Sequence, residues 1–178
     1  MRQYNKSLNK SSRAFREHIA PLLKQKWSLD RITPCEGTES PEAQKADYKH
    51  CIDYKLFKGG RQCGLANRIL FKAKYKDKIT LRKSRSNGVP TEYWKLKTAI
   101  KNGGIYPEIF CVSCIVGDKV KSCAVVRTSD LIKFISETNP PTFTNYDRDK
   151  HQRQDYFCFD VSQMVQKGYR VWILSSCA

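Results

Sequence analysis

The residue most able to take part in chemistry is Asp53, which lies in the apolar stretch Cys51-Ile52-Asp53-Tyr54. An ionised carboxylate in such a stretch is costly to bury unless it is paired. A divalent cation would pair it, because Mg²⁺ is held by one or two carboxylates together with phosphate oxygens and water. Mg²⁺ or Mn²⁺ at Asp53 is therefore one hypothesis. The other is an ordinary ion pair or an exposed position among the nearby lysines, and the sequence leaves both open.

A second set of candidate residues is basic and interleaved with one tyrosine. Its members lie at short spacing in one segment and are Lys72, Lys74, Lys76, Lys78, Arg82, Lys83, Arg85 and Tyr75. The spacing predicts a basic hairpin that follows nucleic-acid phosphates without reading bases. Tyr75, Tyr93 or Trp94 would offer a ring for stacking on unpaired bases. For Trp94 and Leu96, however, helical spacing favours a position in the core.

The distribution of charge favours a polyanionic partner. The chain carries 33 basic and 17 acidic residues, a formal charge of +16 at pH 7. Residues 51–102 hold 14 of the basic and three of the acidic residues, so this segment alone contributes +11. Self-repulsion makes such a concentration unfavourable for folding, whereas each phosphate neutralised releases counterions and adds affinity. Nucleic acid is therefore the expected partner; another acidic partner, a membrane surface or a solubilising surface are the alternatives.

Composition limits the class of protein further. Hydrophobic residues make up 40% of the chain and aromatic residues 11%, too many for a disordered chain. The longest apolar run, Ile109 to Val116, is far shorter than the roughly 20 residues of a membrane span. No apolar segment follows the N-terminus. These features predict a cytoplasmic protein that is neither secreted nor inserted in a membrane.

The eight cysteines admit a disulfide, zinc or catalytic interpretation. Without an export segment, reduced thiols are expected. Cys111 and Cys114 form a Cys-x-x-Cys pair, but residues three apart on a strand point to opposite faces. Buried small hydrophobic side chains are expected, with a zinc-stabilised interaction module as a distant alternative. A hydrolase that pairs Cys51 or Cys158 with His151 has no local signal.

Several elements must position these residues in the first half of the chain. Residues 1–10 predict a flexible basic arm, and residues 11–178 predict a single domain. Hydrophobic spacing predicts a first helix near residues 15–23, which Pro21 interrupts. The segments that follow are an acidic loop at 33–46, strands at 48–57, 65–75 and 79–82, and a helix over 92–100 that Thr91 caps.

The second half of the chain completes an α+β domain. Its predicted elements are strands at 106–116 and 121–127, a helix at 129–135, a polar loop at 136–155, and a strand–helix–strand unit at 156–174. Helices and strands in this order predict a central mixed β-sheet flanked by helices.

Four stretches carry a resemblance to a known family: Ile52-Asp53-Tyr54, Ile79 to Arg82, Asn87 to Lys95, and Phe157 to Val161. Together with the order of elements, they resemble the PD-(D/E)XK nuclease superfamily, which is common in phage and mobile-element proteins. The resemblance covers a restriction-endonuclease-like core of about residues 46–135, with residues 136–178 as a C-terminal extension. It implies a metal-dependent phosphodiesterase that acts on DNA, in the host cytoplasm or in the virion of a phage.

Members of this superfamily place a second acid and a lysine two residues apart on the strand after the aspartate. Here Ala66 occupies the acid position and Arg68 the lysine position. The resemblance implies that Arg68 neutralises transition-state charge and that Glu17 or Glu92 replaces the missing acid. Lys95 follows Glu92 by three residues as a further candidate. Alternatively, Glu92 and Lys95 are an acid at a helix start and a solvated lysine.

Two hypotheses result. The first is a metal-dependent DNA endonuclease or exonuclease-like enzyme, whose candidate catalytic residues are Asp53, Arg68, Glu17, Glu92 and Lys95. The second is a catalytically inactive DNA- or RNA-binding viral protein on the same scaffold. DNA is favoured over RNA as the partner, and a homodimer is compatible with either hypothesis.

Overall fold

The computed structural model describes residues 10–35, 38, 40–147 and 152–174. Its strands are β1 (Arg31–Pro34), β2 (Tyr54–Lys58), β3 (Arg61–Leu70), β4 (Lys78–Arg85), β5 (Ile109–Val116), β6 (Lys119–Arg127), β7 (Thr142–Asp147), β8 (Gln152–Asp160) and β9 (Val171–Ile173). Its helices are α1 (Ala20–Trp27), α2 (Pro41–His50), α3 (Glu92–Lys101), α4 (Thr128–Thr138) and α5 (Val161–Gln166). In these ranges, no helix has the length and apolar character needed to cross a membrane.

Two sheets form the framework. One has six strands in the order β1-β2-β3-β5-β6-β9, and the other has three in the order β4-β8-β7. The β3–β5 pair is parallel and the other neighbours are antiparallel. The α+β class and the mixed sheet are thus confirmed. The second sheet was not predicted, since its strand β7 and the start of β8 fall in residues 136–155, where a polar loop was expected.

The six-stranded sheet is buried on both faces. On one face, Phe15 and Ile19 from a π-helical segment (Phe15–Ile19) and Leu23 from α1 are fully buried. The Phe15 ring stacks on the ring of Tyr54 with 3.8 Å between centroids. The opposite face packs against α3, α4, α5 and the three-stranded sheet. Because β3 side chains alternate between faces, Leu65 belongs to the first core and Ala66 to the second.

The irregularity expected at Pro21 lies immediately before it. The segment Phe15–Ile19 is π-helical, and Pro21 occupies one of the first positions of α1. A proline is tolerated there because the N–H that it lacks has little use in the first helical turn. The chain is helical on both sides of Pro21, with the π-helical segment ending just before it.

Helix α2 corrects two predictions, the loop at 33–46 and the strand at 48–57. Ser40 caps the helix, since its side-chain oxygen accepts a hydrogen bond from the Ala43 N–H at 3.4 Å, and Pro41 occupies the first turn. Cys51 ends the helix in a left-handed conformation with φ of 59°. Asp53 consequently lies just before β2 and not inside a strand.

The predicted basic hairpin at residues 65–85 is wrong. Strand β3 pairs with β2 on one side and with β5 on the other, so it has no free edge for β4. Strand β4 pairs instead with β8 in the second sheet. Residues 71–77, which include the short 3-10 helix Ala73–Tyr75, form a connection between the two sheets. Lys72, Lys74 and Lys76 are exposed on this connection.

Candidate functional site

Asp53 lies at the end of the β2–β3 pairing and makes hydrogen bonds with both its backbone and its side chain. Its backbone N–H donates to the Leu65 carbonyl at 2.9 Å, and its carbonyl accepts from the Cys35 N–H at 2.7 Å. The β2–β3 register ends at Tyr54 and Leu65. Just beyond, Oδ2 of Asp53 accepts a hydrogen bond from the backbone N–H of Asn67 at 2.5 Å. The half-buried carboxylate therefore satisfies a donor that the strand pairing leaves open.

Arg68 of β3 and Glu92 of α3 form an ion pair between the six-stranded sheet and the helix. Their side chains are only 17% and 27% exposed. Burial alone would lower the pKa of the Arg68 guanidinium, but the charge of Glu92, followed by Tyr156 and Asp53, outweighs it and raises the pKa. Burial alone would raise the pKa of the Glu92 carboxyl, but Arg68 and then Arg82 lower it. Both groups are therefore charged at neutral pH.

Arg82 and Tyr156 extend this pair into the second sheet. Nε of Arg82 donates to the Tyr156 hydroxyl oxygen at 3.2 Å, and that hydroxyl donates to Oε1 of Gln154 at 2.6 Å. The guanidinium carbons of Arg82 and Arg68 lie 5.5 and 5.9 Å from the centroid of the Tyr156 ring. We call Asp53, Arg68, Arg82, Glu92 and Tyr156 the Arg68 cluster. It is a polar connection between the two sheets and α3.

The Arg68 cluster contains three of the five predicted catalytic residues, Asp53, Arg68 and Glu92. Glu17 lies elsewhere: its carboxylate accepts from Nε of Arg13 at 2.8 Å, and both side chains are exposed. Phe15 and Ile19 face the sheet, which leaves Glu17 on the solvent side of the helix. Lys95 turns toward α2, where its ammonium donates to the Tyr48 carbonyl at 2.5 Å.

The predicted nucleic-acid-binding residues are distributed over several environments. Lys78 pairs with Asp160 at 2.7 Å. The Lys83 ammonium lies 5.1 Å from the centroid of the Phe157 ring, and Arg85 is half-buried. The Tyr75 ring is half-buried with its centroid 6.0 Å from that of Phe143. Only the lysines of the connection between the sheets are exposed among the predicted basic residues.

The burial of the aromatic residues of α3 differs from the prediction. Leu96 is buried as predicted, but the core position predicted for Trp94 is wrong, because 48% of that residue is exposed. Tyr93 is buried and its ring packs on Phe157 with 5.0 Å between centroids. Tyr93 therefore cannot stack on a base. Thr91 precedes α3 but its hydroxyl donates to the Lys83 carbonyl at 2.8 Å, and it makes no side-chain cap.

The sequence did not predict the residues of the second sheet that complete the Arg68 cluster. Gln152, Gln154 and Tyr156 are all buried at alternate positions of β8. In the sequence, the one sign that β8 has a buried polar face is the alternation of two glutamines and a tyrosine along it. The signal does not show what they contact.

The seven cysteines among the described residues are free thiols; five are buried, and Cys63 and Cys158 are half-buried. Cys111 and Cys114 are both buried, as predicted. They point apart: Sγ of Cys111 lies 3.8 Å from Sγ of Cys123, whereas Sγ of Cys114 donates to the Lys72 carbonyl at 3.5 Å. Within the described ranges, His, Cys, Asp and Glu do not gather in any group of three or more that could hold a metal ion.

Cys51 borders the Arg68 cluster. Burial, with an added contribution from the charge of Glu92, raises the pKa of the Cys51 thiol to about 12. Burial also raises the pKa of the Asp47 carboxyl on the same helix, against the lowering effect of Lys95. A thiol that stays protonated at neutral pH is a poor nucleophile. The other member of the considered pair, His151, lies outside the described residues.

We expect Cys51 to resist alkylation in the folded protein. With a pKa of about 12, its thiolate population is very small at a labelling pH of about 8, compared with an ordinary cysteine. Iodoacetamide labelling followed by peptide mass mapping should show Cys51 reacting at least about tenfold more slowly in buffer than in urea. Equal rates in the two conditions would show that neither burial nor charge protects this thiol.

Comparison of the chain with protein-family models, with curated proteins and with solved structures finds no match. Two features of the structure bear on function: the exposed lysines on the connection between the sheets, and the Arg68 cluster beside α3.

Proposed function

We propose that the protein binds nucleic acid, and DNA in preference to RNA, through phosphate contacts from the connection between its two sheets. The observation that carries this proposal is the exposure of Lys72, Lys74 and Lys76 at alternate positions of one short segment. Among the residues that the structure describes, no ion pair involves these three lysines. Their charge is therefore available for phosphates.

The preference for DNA over RNA in this proposal comes from the family resemblance. The phosphate-binding role is supported by the surrounding charges. The segment from residue 51 to 102 has 14 basic residues against three acidic ones, and one of the three, Glu92, is neutralised by Arg68. Lysines at short spacing bind phosphates without base contacts. Binding of this kind is independent of sequence and strongly dependent on salt, because it depends on counterion release.

Replacing Lys72, Lys74 and Lys76 together by alanine is expected to weaken DNA binding roughly tenfold and to lower the salt slope by about 3. Each lost phosphate contact removes one released counterion from the binding equilibrium. Fluorescence anisotropy with a labelled oligonucleotide at several salt concentrations measures both quantities.

The matched control is the triple variant Lys24→Ala, Lys26→Ala and Lys167→Ala. These three lysines are also exposed, and their removal changes the net charge by the same amount. A control variant that loses as much affinity as the first variant would show that net charge alone decides binding. Wild-type protein that binds neither DNA nor RNA at low salt would refute the proposal.

A second candidate function, metal-dependent phosphodiester hydrolysis, has one specific observation in its favour. Asp53 and Glu92, from separate elements, both raise the pKa of Arg68 against the effect of its burial, so two carboxylates lie near one guanidinium. Asp53 offers the hard oxygen ligand that Mg²⁺ prefers, and Mg²⁺ completes its shell with phosphate oxygens and water. When bound, Mg²⁺ supplies polarisation of the phosphodiester and activation of a water.

In this second candidate function, Asp53, Arg68 and Glu92 have separate roles. Asp53 would hold the metal while still accepting the hydrogen bond from the Asn67 N–H. Arg68 would stabilise charge on the phosphate. Glu92 is paired with Arg68, so it would reach the metal only by exchanging that partner.

A further inference from the structure

A cleft between α2 and α3 lies on the surface of the protein. It has a volume of about 770 Å³, and the segment Val89-Pro90 before α3 forms part of its wall. The wall opposite this segment comes from α2, which contributes Lys45, Tyr48 and Lys49. The cleft lies apart from the basic hairpin predicted for Lys72 to Arg85. It could not be predicted from the sequence, because α2 was expected to be a loop and the start of a strand.

Tyr48 is the most exposed large hydrophobic residue of the described chain, at 77% of its surface. Its position is nevertheless held. The Lys95 ammonium donates to the Tyr48 carbonyl at 2.5 Å and lies 4.6 Å from the centroid of the Tyr48 ring. An ammonium at this distance attracts the π-face of the ring. The ring is thus a positioned aromatic surface in an open cleft.

The charge of the cleft has one sign. Lys45, Lys49 and Lys95 line it, and none of the described residues that line it carries a carboxylate. Val89, which is 39% exposed, and Pro90 add apolar surface next to the ring. An apolar slot with an aromatic ring and three ammonium groups complements a ligand that has a flat ring and negative charges along one edge.

We propose that this cleft binds unpaired bases of a single-stranded nucleic acid. Tyr48 stacks on a base, the apolar wall covers that base, and Lys45, Lys49 and Lys95 bind the adjoining phosphates. Exposed aromatic rings in a basic groove are the usual platform for single strands, because every base has a π-face. A duplex keeps its bases in the stack and cannot present them to Tyr48. This inference rests on the proposed nucleic-acid binding and adds a preference for single strands.

The test compares the dissociation constants of single-stranded oligothymidylate and of a duplex of equal length. Tyr48→Ala is expected to weaken single-strand binding roughly tenfold, as expected for the loss of one stacked base, and to leave duplex binding unchanged. Tyr48→Phe keeps the ring and is expected to bind as the wild type does. Tyr146→Ala removes another exposed tyrosine, 55% exposed on β7, and is expected to have no effect.

The outcomes separate this inference from the broader proposal. Wild-type protein that binds the oligonucleotides while Tyr48→Ala loses no more than Tyr146→Ala would overturn the stacking role and leave nucleic-acid binding intact. Equal losses for single strand and duplex would also overturn it, because the effect would then not concern unpaired bases. Wild-type protein that binds neither ligand would refute both proposals together.

Discussion

Glu92→Ala is expected to lower the free energy of unfolding by about 3 kcal/mol, because it leaves the Arg68 guanidinium without its partner in the interior. The expected value lies at the lower end for a broken buried pair, since the two side chains keep 17% and 27% exposure. Tyr156 does not replace the lost charge, as its ring only flanks Arg68 at 5.9 Å. Urea denaturation followed by circular dichroism at neutral pH measures the change.

Two further variants show whether the loss comes from the unpaired charge. Glu17→Ala breaks an exposed pair at the π-helical segment, with side chains 73% and 49% exposed, and is expected to leave the free energy of unfolding almost unchanged. The double variant Arg68→Met with Glu92→Leu removes both charges and is expected to recover much of the stability. A double variant as unstable as Glu92→Ala would attribute the loss to packing and not to the charge.

The Arg68–Glu92 pair also makes the free energy of unfolding depend on pH in the acid range. Arg68 holds the pKa of Glu92 below its ordinary value. The stabilisation is therefore complete above the ordinary carboxyl pKa of about 4.3 and is lost as the pH falls from there through the lower folded-state pKa. The stability difference between wild type and Glu92→Ala should shrink over that range. A difference that stays constant down to about pH 2 would contradict the depressed pKa.

The hydrophobic pattern was enough to locate most of the elements but not their partners. It placed a strand near β5 and helices near α3 and α4, because runs of apolar residues at spacings of two and 3.6 are local properties of the chain. It could not show that β4 leaves the first sheet, since that follows from β3 being paired on both sides. Helix α2 escaped notice because its charged, exposed surface has little apolar periodicity, although Ser40-Pro41 is a typical helix start.

For the candidate site too, the sequence predicted individual residues but not the contacts between them. Asp53 was a candidate because it is an acid in an apolar stretch, and Glu92 because the family resemblance requires a second acid. The structure places both near Arg68. The contact that completes the Arg68 cluster joins Arg82 to Tyr156, residues 74 positions apart in the chain. Such a contact depends on the pairing of β4 with β8, which no local pattern encodes. The cleft at Tyr48 could not be predicted either, because its lining comes from α2, from α3 and from the segment before α3.

The largest effect on activity is expected from Asp53→Asn, if the second candidate function is tested with supercoiled plasmid and with single-stranded DNA in Mg²⁺ or Mn²⁺. Cleavage is expected to fall by about a thousandfold, since an amide oxygen is a weak metal ligand and the lost metal chemistry is worth several kcal/mol. The fold should survive, because the amide oxygen of asparagine still accepts the hydrogen bond from the Asn67 N–H that Asp53 accepts at 2.5 Å. Circular dichroism and oligonucleotide binding verify that the variant is intact.

Asp118→Asn is the matched control, because Asp118 is an exposed acid in the turn between β5 and β6 and its loss changes the net charge equally. Cleavage that disappears in Asp53→Asn and persists in Asp118→Asn places the metal at Asp53. Equal activity in both variants would assign any cleavage to a contaminant or to another site. Salt-sensitive binding by wild type without cleavage in either metal would leave Asp53 as the residue that closes the β2–β3 pairing. The Arg68 cluster would then serve to hold the two sheets and α3 together in a nucleic-acid-binding protein.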